Sequence, residues 1–253
     1  MRSTPAASHT PRTPPARTAP TPPIGVLERG IAVLECFRED RLRLELREFA
    51  ELTGLDKATL LRLLGVLQNA RMVQRAENGQ YTLGPALLHM GMLYRGSVDL
   101  GARLQPVLRA VMEQTGETVA FYVRSGDERV CLYREHTQSE MRPHVEPGTR
   151  LPLAAGGASA HILLYYTGGH TAQAAHIARH GYVITRSERV PEMASIALPV
   201  FDGDGSFAGS LVVMGLASRH SREAQLAALD LAREQLALQG FASQAPQGWK
   251  PHA

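Results

Sequence analysis

The sequence predicts an α+β protein with two differently patterned parts. In the first part, apolar residues recur at the three- and four-residue spacing of amphipathic helices, as in the stripe Leu60, Leu63, Leu64 and Leu67. Asn78-Gly79 then separates two short alternating runs, which is a strong hairpin signal. From Thr118 onward the apolar pattern has a period of two, which is typical of strands. Helices therefore dominate the first part, and an antiparallel sheet with flanking helices is expected in the second.

The composition is that of a globular protein with a sizeable core. The chain has 253 residues, of which 44% are hydrophobic and 20% charged, and this length suits two modest domains. No apolar run reaches the ~18 residues of a membrane helix, and no apolar stretch follows Arg2 as in a secretory signal. Cys36 and Cys131 are too few for a disulfide framework or a thiolate zinc site, and are expected as buried apolar side chains. We therefore expect a cytoplasmic protein with no membrane partner, metal or cofactor.

The net charge of +3 comes from the N-terminal tail. Residues 1–23 contain three arginines, no acidic residue and seven of the 16 prolines. Such a stretch cannot offset its ordering entropy with buried apolar area, so a disordered tail is expected over 1–23. Acidic and basic residues are equal in number over the rest of the chain. The global charge therefore says little about partners.

Three helices are predicted at the start of the ordered chain. The first covers about 25–38, with Leu27, Ile31 and Leu34 on its apolar face. A second helix covers 45–52, and the glycine that follows it accepts the left-handed conformation of a helix end.

The third helix and the hairpin complete a recognisable module. Asp56 caps this helix, because its carboxylate can accept the free amide hydrogens of the first turn. Three helices with a tight turn between the second and third, followed by a hairpin over 72–83, make a winged helix-turn-helix. This DNA-binding domain is expected over 24–84.

The outward face of the third helix carries the candidate DNA contacts. In such a module the third helix enters the major groove, while the wing follows the DNA backbone. Arg and Lys side chains read guanine edges or bind phosphates, so double-stranded DNA is the expected partner. The candidate contacts are Lys57, Ala58, Thr59, Leu61, Arg62 and Arg75. An ordinary solvated helical face is the alternative, and the combined signals of cap, stripe, turn and wing favour DNA.

A linker helix is predicted over 85–98, and its apolar residues indicate packing against a partner subunit or ordinary core. The further elements are a helix over about 100–115, strands at 118–123, 129–134 and 140–145, a helix ending near Tyr166, a helix near 171–180, strands at 194–201 and 207–214, and a helix over about 221–239. The domain that they form is expected over 99–242, with a flexible tail over 243–253. Asp202-Gly203-Asp204-Gly205 is predicted as a hairpin turn, since a calcium loop needs an acid where Val213 stands.

Several stretches share their order and spacing with a known family. They are residues 27–34 (LERGIAVL), 49–59 (FAELTGLDKAT), 62–64 (RLL), 81–85 (YTLGP), 115–118 (TGET), 147–152 (PGTRLP) and 197–200 (ALPV). Together they resemble IclR-type transcriptional regulators over about 26–240. The resemblance implies a winged helix-turn-helix, a linker helix and a C-terminal GAF-like domain that binds a small organic effector, commonly a carboxylate or an aromatic compound. It also implies a homodimer or homotetramer on a palindromic operator, acting as repressor or activator.

The resemblance also implies the effector contacts. They fall at Gly157, Ala158, Thr185, Ser195, Val212 and Met214. Backbone amides that enter a helix at Gly157 and Ala158 favour an anion. Val212 and Met214 are apolar where some family members have serines that bind a carboxylate, so we expect a less polar or differently oriented ligand than a two-carbon acid. The segment before Gly181 is shorter than is usual in the family, which alters the surroundings of Thr185.

Other functions fit parts of the sequence less well. The glycine-rich run 155–159 matches neither a dinucleotide fingerprint nor a P-loop, and Ser195 lies in no nucleophile elbow, so no catalytic residue is predicted. His176 and His180 could share one helical turn, but surface histidines explain them better than a metal site. A sensor or dimerisation protein of the same fold, without sequence-specific DNA binding, stays open as the alternative; an outward Leu61 supports it.

Overall fold

The computed structural model describes residues 25–38, 40–97, 100–136 and 145–249, and the chain divides into two compact units, Met1–Tyr94 and Arg95–Ala253. The N-terminal unit contains three helices, an antiparallel two-stranded hairpin and most of a fourth helix. Their bounds are α1 (Val26–Leu34), α2 (Leu46–Thr53), α3 (Lys57–Asn69), β1 (Val73–Arg75), β2 (Tyr81–Leu83) and α4 (Pro85–Ser97). The predicted helix-turn-helix and its hairpin are confirmed.

Phe49 of α2 stands at the centre of the N-terminal core. Its ring packs edge-to-face against Phe37 and Tyr81, with centroids 5.5 and 5.8 Å apart. Such aromatic pairs add a directional attraction to the burial of apolar area. Leu60 and Leu64 of α3 are fully buried in the same core, as the leucine stripe predicts. One side of α3 is thereby fixed against α1 and α2, and the other side faces outward.

The first helix differs from its prediction. It ends at Leu34, and the next turn carries Cys36 and Phe37 into the core. Because these two side chains and Val33 fill that space, Leu27 and Ile31 lie on the exposed side rather than the buried side. The spacing of apolar residues thus predicted the helix correctly and its buried face wrongly.

The C-terminal unit is built on one six-stranded antiparallel sheet with helices on both faces. Its elements are α5 (Leu100–Thr115), β3 (Thr118–Ser125), β4 (Glu128–Glu135), β5 (Arg150–Pro152), a 3-10 turn (Leu153–Ala155), α6 (Ala158–Tyr166), α7 (Ala174–His180), β6 (Val183–Arg186), β7 (Met193–Phe201), β8 (Phe207–Leu216) and α8 (Arg222–Leu238). The strand order is β5-β4-β3-β8-β7-β6, and every neighbouring pair is antiparallel. The α+β class and the C-terminal antiparallel sheet are therefore confirmed.

The central strands are buried on both faces. On one face, α5 and α8 cover a core that includes Phe121 and Leu211. On the other face, α6 covers a second core that includes Ala120 and Val212. Side chains of a strand alternate between the two sides of a sheet, so consecutive residues of β3 and β8 supply two different cores.

Two short strands at the ends of the sheet were not predicted. Proline and glycine surround β5, which disfavours a strand in a reading of the sequence, and β6 has only four residues, which is too short for a periodic pattern. The strand predicted over 140–145 falls outside the described residues except for Val145, which is not in a strand. The turn at 202–205 joins β7 to β8 as predicted, with the Gly205 amide donating to the Asp202 carbonyl.

The segment after α8 also differs from the expected flexible tail. Ala242 pairs with Phe201 through two backbone hydrogen bonds. The Trp249 ring packs edge-to-face on Tyr166 and Phe201, with centroids 5.0 and 5.8 Å apart. As far as Trp249, the segment is therefore attached to the second core by aromatic packing that its proline- and glycine-rich sequence does not signal.

Both cysteines are buried, as predicted. Burial raises the pKa of the Cys36 thiol to about 11, so this thiol is protonated at neutral pH and unreactive. Among the helices of the described ranges, none is both long enough and apolar enough to span a bilayer.

His220 is a buried titratable group just before α8. It is 2% exposed, and its Nε2 has no hydrogen-bond partner among the described residues. Burial, together with the nearby Arg186 and Arg219 guanidinium groups, lowers the pKa of His220 to about 4. The unfolded chain has an ordinary histidine pKa near ~6.5. As the pH falls between these two values, the unfolded state binds the proton and the folded state does not, so stability is lost.

We expect this histidine to contribute roughly 2 kcal/mol of pH-dependent destabilisation between pH 7 and pH 5. Urea unfolding at both pH values, followed by the fluorescence of the single tryptophan, measures it on the C-terminal unit. His220→Leu should remove about that much of the pH dependence. An equal dependence in the variant and the wild type would contradict the prediction.

Candidate DNA-binding and effector-binding sites

The exposed face of α3 carries two positive charges and no acidic residue. Lys57, Ala58, Leu61 and Arg62 are exposed, whereas Thr59 is half-buried. Leu61 is 44% exposed, so an apolar side chain stands between the two cations. Because α3 is held from its opposite side by the leucine stripe, this face can meet a DNA groove without disturbing the core.

The first turn of α3 is organised by its cap. The Thr59 amide donates to Asp56 Oδ1 at 2.9 Å, and the Thr59 hydroxyl donates to Asp56 Oδ2 at 2.7 Å. These hydrogen bonds lower the pKa of the Asp56 carboxyl, so it is ionised at the positive end of the helix. Thr59 was predicted as a DNA contact; its hydroxyl hydrogen is used inside the cap, which leaves the oxygen only as an acceptor.

Arg75 lies in the wing. Its Nε donates to the Gly79 carbonyl at 3.4 Å, and its guanidinium carbon lies 5.4 Å from the centre of the Tyr81 ring. The side chain is exposed and folded along the hairpin. A positive charge is thereby held on the wing rather than on a freely moving side chain.

A cavity of about 290 Å³ lies on the α6 side of the C-terminal sheet. All six residues expected to contact an effector line it, namely Gly157, Ala158, Thr185, Ser195, Val212 and Met214. They come from the start of α6 and from β6, β7 and β8. The volume is at the small end of ligand pockets, which are ~300–1,000 Å³.

The start of α6 forms one wall of this cavity. Gly156 and Gly157 have φ values of +76° and +94°, which side-chain-bearing residues rarely adopt. The helix that begins at Ala158 turns its first amide hydrogens toward this end. Such an end attracts negative charge.

A hydroxyl pair and an apolar surface form the facing wall. Thr185 and Ser195 lie opposite each other on β6 and β7, and their hydroxyl oxygens are 2.9 Å apart. One hydroxyl donates to the other, so one hydroxyl hydrogen is left for a ligand. Val212 and Met214 of β8 add apolar surface beside them. The wall therefore offers a ligand one polar position within an apolar area.

Arg129 is a cavity residue that was not predicted. It lies on β4 and is 3% exposed. Its Nη1 donates to the Gly156 carbonyl at 2.8 Å. The signal was present in the sequence, because Arg129 stands two residues before Cys131, an expected core residue, and so shares its face of the strand.

The loop after β6 also contributes unpredicted residues, Glu188 and Arg189. Glu188 Oε1 lies 2.8 Å from Nε2 of His161 on α6, and Nδ1 of the same ring lies 2.7 Å from the Thr171 hydroxyl. This chain of contacts fastens the loop to the pocket helix.

The comparisons with known proteins match both the helix-turn-helix part and the C-terminal part of the chain. The IclR helix-turn-helix domain profile matches residues 26–77, and the profile of the bacterial transcriptional regulator IclR C-terminal domain matches residues 92–175, together more than half of the chain. The chain is also 26% identical over 247 residues to the HTH-type transcriptional repressor AllR of Salmonella typhimurium, covering 87% of this chain and 91% of AllR. The chain belongs to the IclR family of transcriptional regulators.

Solved IclR structures share the fold. An IclR transcriptional regulator from Alicyclobacillus acidocaldarius superposes with a TM-score of 0.73 at 22% identity, covering 86% of this chain and 98% of that one. An IclR homologue from Microbacterium hydrocarbonoxydans, crystallised with 4-hydroxybenzoate, superposes with a TM-score of 0.68 at 20% identity, covering 85% and 100%. The chain is thus a DNA-binding regulator with a C-terminal ligand-binding domain, and members of the family are regulators rather than enzymes.

The histidines considered for a metal site lie apart from this IclR cavity. The His176 and His180 rings are 4.6 Å apart on α7, and His176 packs edge-to-face on Tyr182. Within the described ranges, no three side chains of His, Cys, Asp or Glu come together as a metal site. The two histidines form part of an aromatic cluster.

Gly157→Ala tests the construction of the cavity wall. The added Cβ would have to adopt φ near +94° and would stand 3.4 Å from Arg129 Nη2. We expect the C-terminal unit to lose roughly 1–3 kcal/mol of unfolding free energy, measured by urea unfolding with tryptophan fluorescence. Gly126→Ala is the control, because Gly126 has φ +60° and open space around its Cβ position. Its loss should be smaller; a larger loss than at Gly157 would contradict the close packing at Arg129.

Proposed function

We propose that this IclR-family protein binds an operator through α3 and the wing, and that a small organic effector in the C-terminal cavity changes its operator affinity. The residues proposed to contact DNA are Lys57, Ala58, Thr59, Leu61, Arg62 and Arg75. Those proposed to contact the effector are Gly157, Ala158, Thr185, Ser195, Val212 and Met214. Ligand coupling of this kind typically changes affinity about 5- to 150-fold, and its sign makes the protein a repressor or an activator.

The exposed cationic face of α3 carries the DNA-binding part of the proposal. Lys57 and Arg62 stand on the exposed side of a helix whose leucine stripe is buried in the core, as a recognition helix requires. Leu61 between them can contact a thymine methyl group. Arg75 on the wing is suited to a phosphate.

The cavity supports a carboxylate or aromatic effector. An apolar wall with a few polar groups is typical of small-molecule sites. The 4-hydroxybenzoate in the Microbacterium relative is a precedent for an aromatic carboxylate in this fold. The apolar Val212 and Met214 favour such a ligand over a two-carbon acid.

A homodimer or homotetramer is proposed from the surface of the N-terminal unit. Its exposed apolar side chains on α1 and α4 are Val26, Leu27, Ile31, Leu88, Met90, Met92, Leu93 and Tyr94. Monomeric proteins rarely expose so many large apolar side chains on two helices. A second copy of the chain would cover them, and two α3 helices would then reach two half-sites of a palindromic operator.

Arg62→Ala tests the recognition helix. We expect affinity for DNA from upstream of the protein's own gene to fall by ~1–3 kcal/mol if Arg62 reads a base. Binding is measured against salt by fluorescence anisotropy, with unrelated DNA in parallel. Loss of a phosphate contact instead weakens binding to all sequences alike and reduces the salt slope.

Arg47→Ala is the matched control, because this exposed arginine of α2 already forms an ion pair with Glu51 at 2.7 Å. It should change binding less than Arg62→Ala. Equal losses in both variants would contradict a specific role for Arg62. If the operator lies elsewhere in the genome, selection of genomic DNA fragments that the protein binds would find it. A selection that recovers no fragment would favour a sensor protein that does not bind DNA.

Leu88→Glu tests the assembly. Leu88 is 71% exposed, so its replacement leaves the fold intact, while a charge buried in a subunit interface is costly. We expect dissociation toward monomers in sedimentation velocity. Leu238→Glu is the control, since Leu238 of α8 is similarly exposed (69%) but lies in the other unit. A wild-type monomer, or equal dissociation in both variants, would contradict this interface.

A further inference from the structure

Among the described arginines of the C-terminal unit, Arg129 stands out by the combination of deep burial and the lack of a carboxylate partner. Six others pair with carboxylates, namely Arg103, Arg109, Arg134, Arg150, Arg219 and Arg233. Arg129 is more deeply buried than most, yet within the described ranges no carboxylate forms an ion pair with it, and its Nε has no hydrogen-bond partner. Burying a cation without a counter-ion is costly. The contacts of Arg129 are the Gly156 carbonyl and the Tyr122 ring, whose centre lies 5.6 Å from the guanidinium carbon, and neither is an anion. Its burial therefore favours an anion from outside the chain.

The guanidinium is directed at the start of α6. Its Nη1 donates to the Gly156 carbonyl, and its Nη2 lies 3.4 Å from the place where a Gly157 Cβ would stand. The absent side chain of Gly157 leaves space beside Nη2, whereas Glu188 Oε1 lies 2.7 Å from the place where a Gly156 Cβ would stand. Arg129 and the first amide hydrogens of α6 thus meet at one end of the cavity, and both attract negative charge.

Burial lowers the pKa of the Arg129 guanidinium to about 10, so it is still charged at neutral pH. The acidic residue that lines the cavity, Glu188, is engaged with His161 at 2.8 Å. The cavity is also lined by a second cation, Arg189, so the formal charges of Arg129, Arg189 and Glu188 leave one positive charge in excess. One negative charge on a ligand neutralises this excess, and a second would exceed it and meet the Glu188 carboxylate.

We propose that the effector is a monocarboxylate with an apolar body, and that Arg129 binds its carboxylate at the start of α6. The proposal rests on the proposed function of this cavity as the effector site. To that function it adds a single negative charge on the ligand and names Arg129 as the residue that selects for this charge. Tyr122, Val145, Leu151, Val212 and Met214 provide the apolar walls for the body. The volume of about 290 Å³ suits a body the size of one ring or a branched alkyl group.

Matched pairs of charged and neutral compounds test the proposal on the full chain. Benzoate, 4-hydroxybenzoate and 3-methylbutanoate are each compared with the corresponding amide by titration calorimetry at pH 7.5. Phenyl phosphate is the dianion comparator. We expect each carboxylate that binds to bind roughly 10- to 100-fold more tightly than its amide, as hydrogen bonds to charged groups imply. Phenyl phosphate should bind more weakly than benzoate.

Arg129→Met removes the charge and keeps the length of the side chain. Since it relieves an unpaired buried cation, the ligand-free variant should melt no lower than the wild type. It should lose the preference for carboxylate over amide. Arg129→Gln, which retains a donor for the Gly156 carbonyl, is the second variant should Met fail to fold. Arg150→Gln is the matched control, because Arg150 lies on the adjacent strand β5 and pairs with Glu128 outside the cavity; it should keep the preference.

Several outcomes would overturn the assignment. The first is that no carboxylate binds to the wild type more tightly than its amide, and a wild type that binds none of the compounds counts as this outcome. The second is that a folded Arg129 variant still prefers the carboxylate over the amide. A neutral compound that occupies the cavity and changes operator binding would refute the anion while the proposed function stands. Failure of the protein to bind DNA selectively would refute the proposed function independently, because ligand binding is measured without DNA.

Discussion

The C-terminal unit depends on one constraint, which is that the central strands must bury both of their faces at once. Phe121 and Leu211 face each other across β3 and β8 in the core under α5 and α8, and Ala120 and Val212 do so in the core under α6. Because strand side chains alternate, a slip of one residue would exchange the two cores and place every side chain on the wrong side. Two cores packed against different helices therefore fix a single register, and all positions along the strands follow from it.

The cavity lies at the edge of the core under α6, so the strand register that forms this core also positions the residues of the candidate site. Tyr122, Val212 and Met214 belong both to the core under α6 and to the cavity wall. Ser195 is opposite Met214 on one side and opposite Thr185 on the other. A ligand would thus meet a row of side chains set by strand pairing rather than by a loop, which holds a site more accurately. The parts held by a loop are Glu188 and Arg189, and the contact of Glu188 with His161 ties them to the pocket helix.

The elements that the sequence predicts are those with local signals. Asp56 and the leucine stripe locate α3, and Asn78-Gly79 locates the wing, because caps and turns are made by residues close in sequence. The buried face of α1 was predicted wrongly, because the packing of Phe37 in the core determines which side of the helix is buried. The cavity residues came from the family resemblance: no local pattern says that Thr185 meets Ser195, because β6 is too short to show a period.

In a protein that folds as a monomer, charged side chains usually lie outside and large apolar side chains inside. Arg129 and the apolar side chains of α1 and α4 depart from this distribution in opposite ways. An arginine without a carboxylate lies inside the C-terminal unit, while Leu27 and Leu88 lie outside the N-terminal unit. Sequences that specify a stable fold follow this distribution at almost every position, and the departures concentrate at functional sites. The two departures also differ in chemistry. Apolar surface on helices is complemented by more apolar surface, such as that of a second copy, whereas a buried cation is complemented by a small anion. Under the function proposed above, a second copy would set the spacing of the DNA-binding helices, and the anion would be the signal that changes operator affinity. The residues that stabilise the isolated chain least are therefore those that the proposed second copy and the proposed effector would contact.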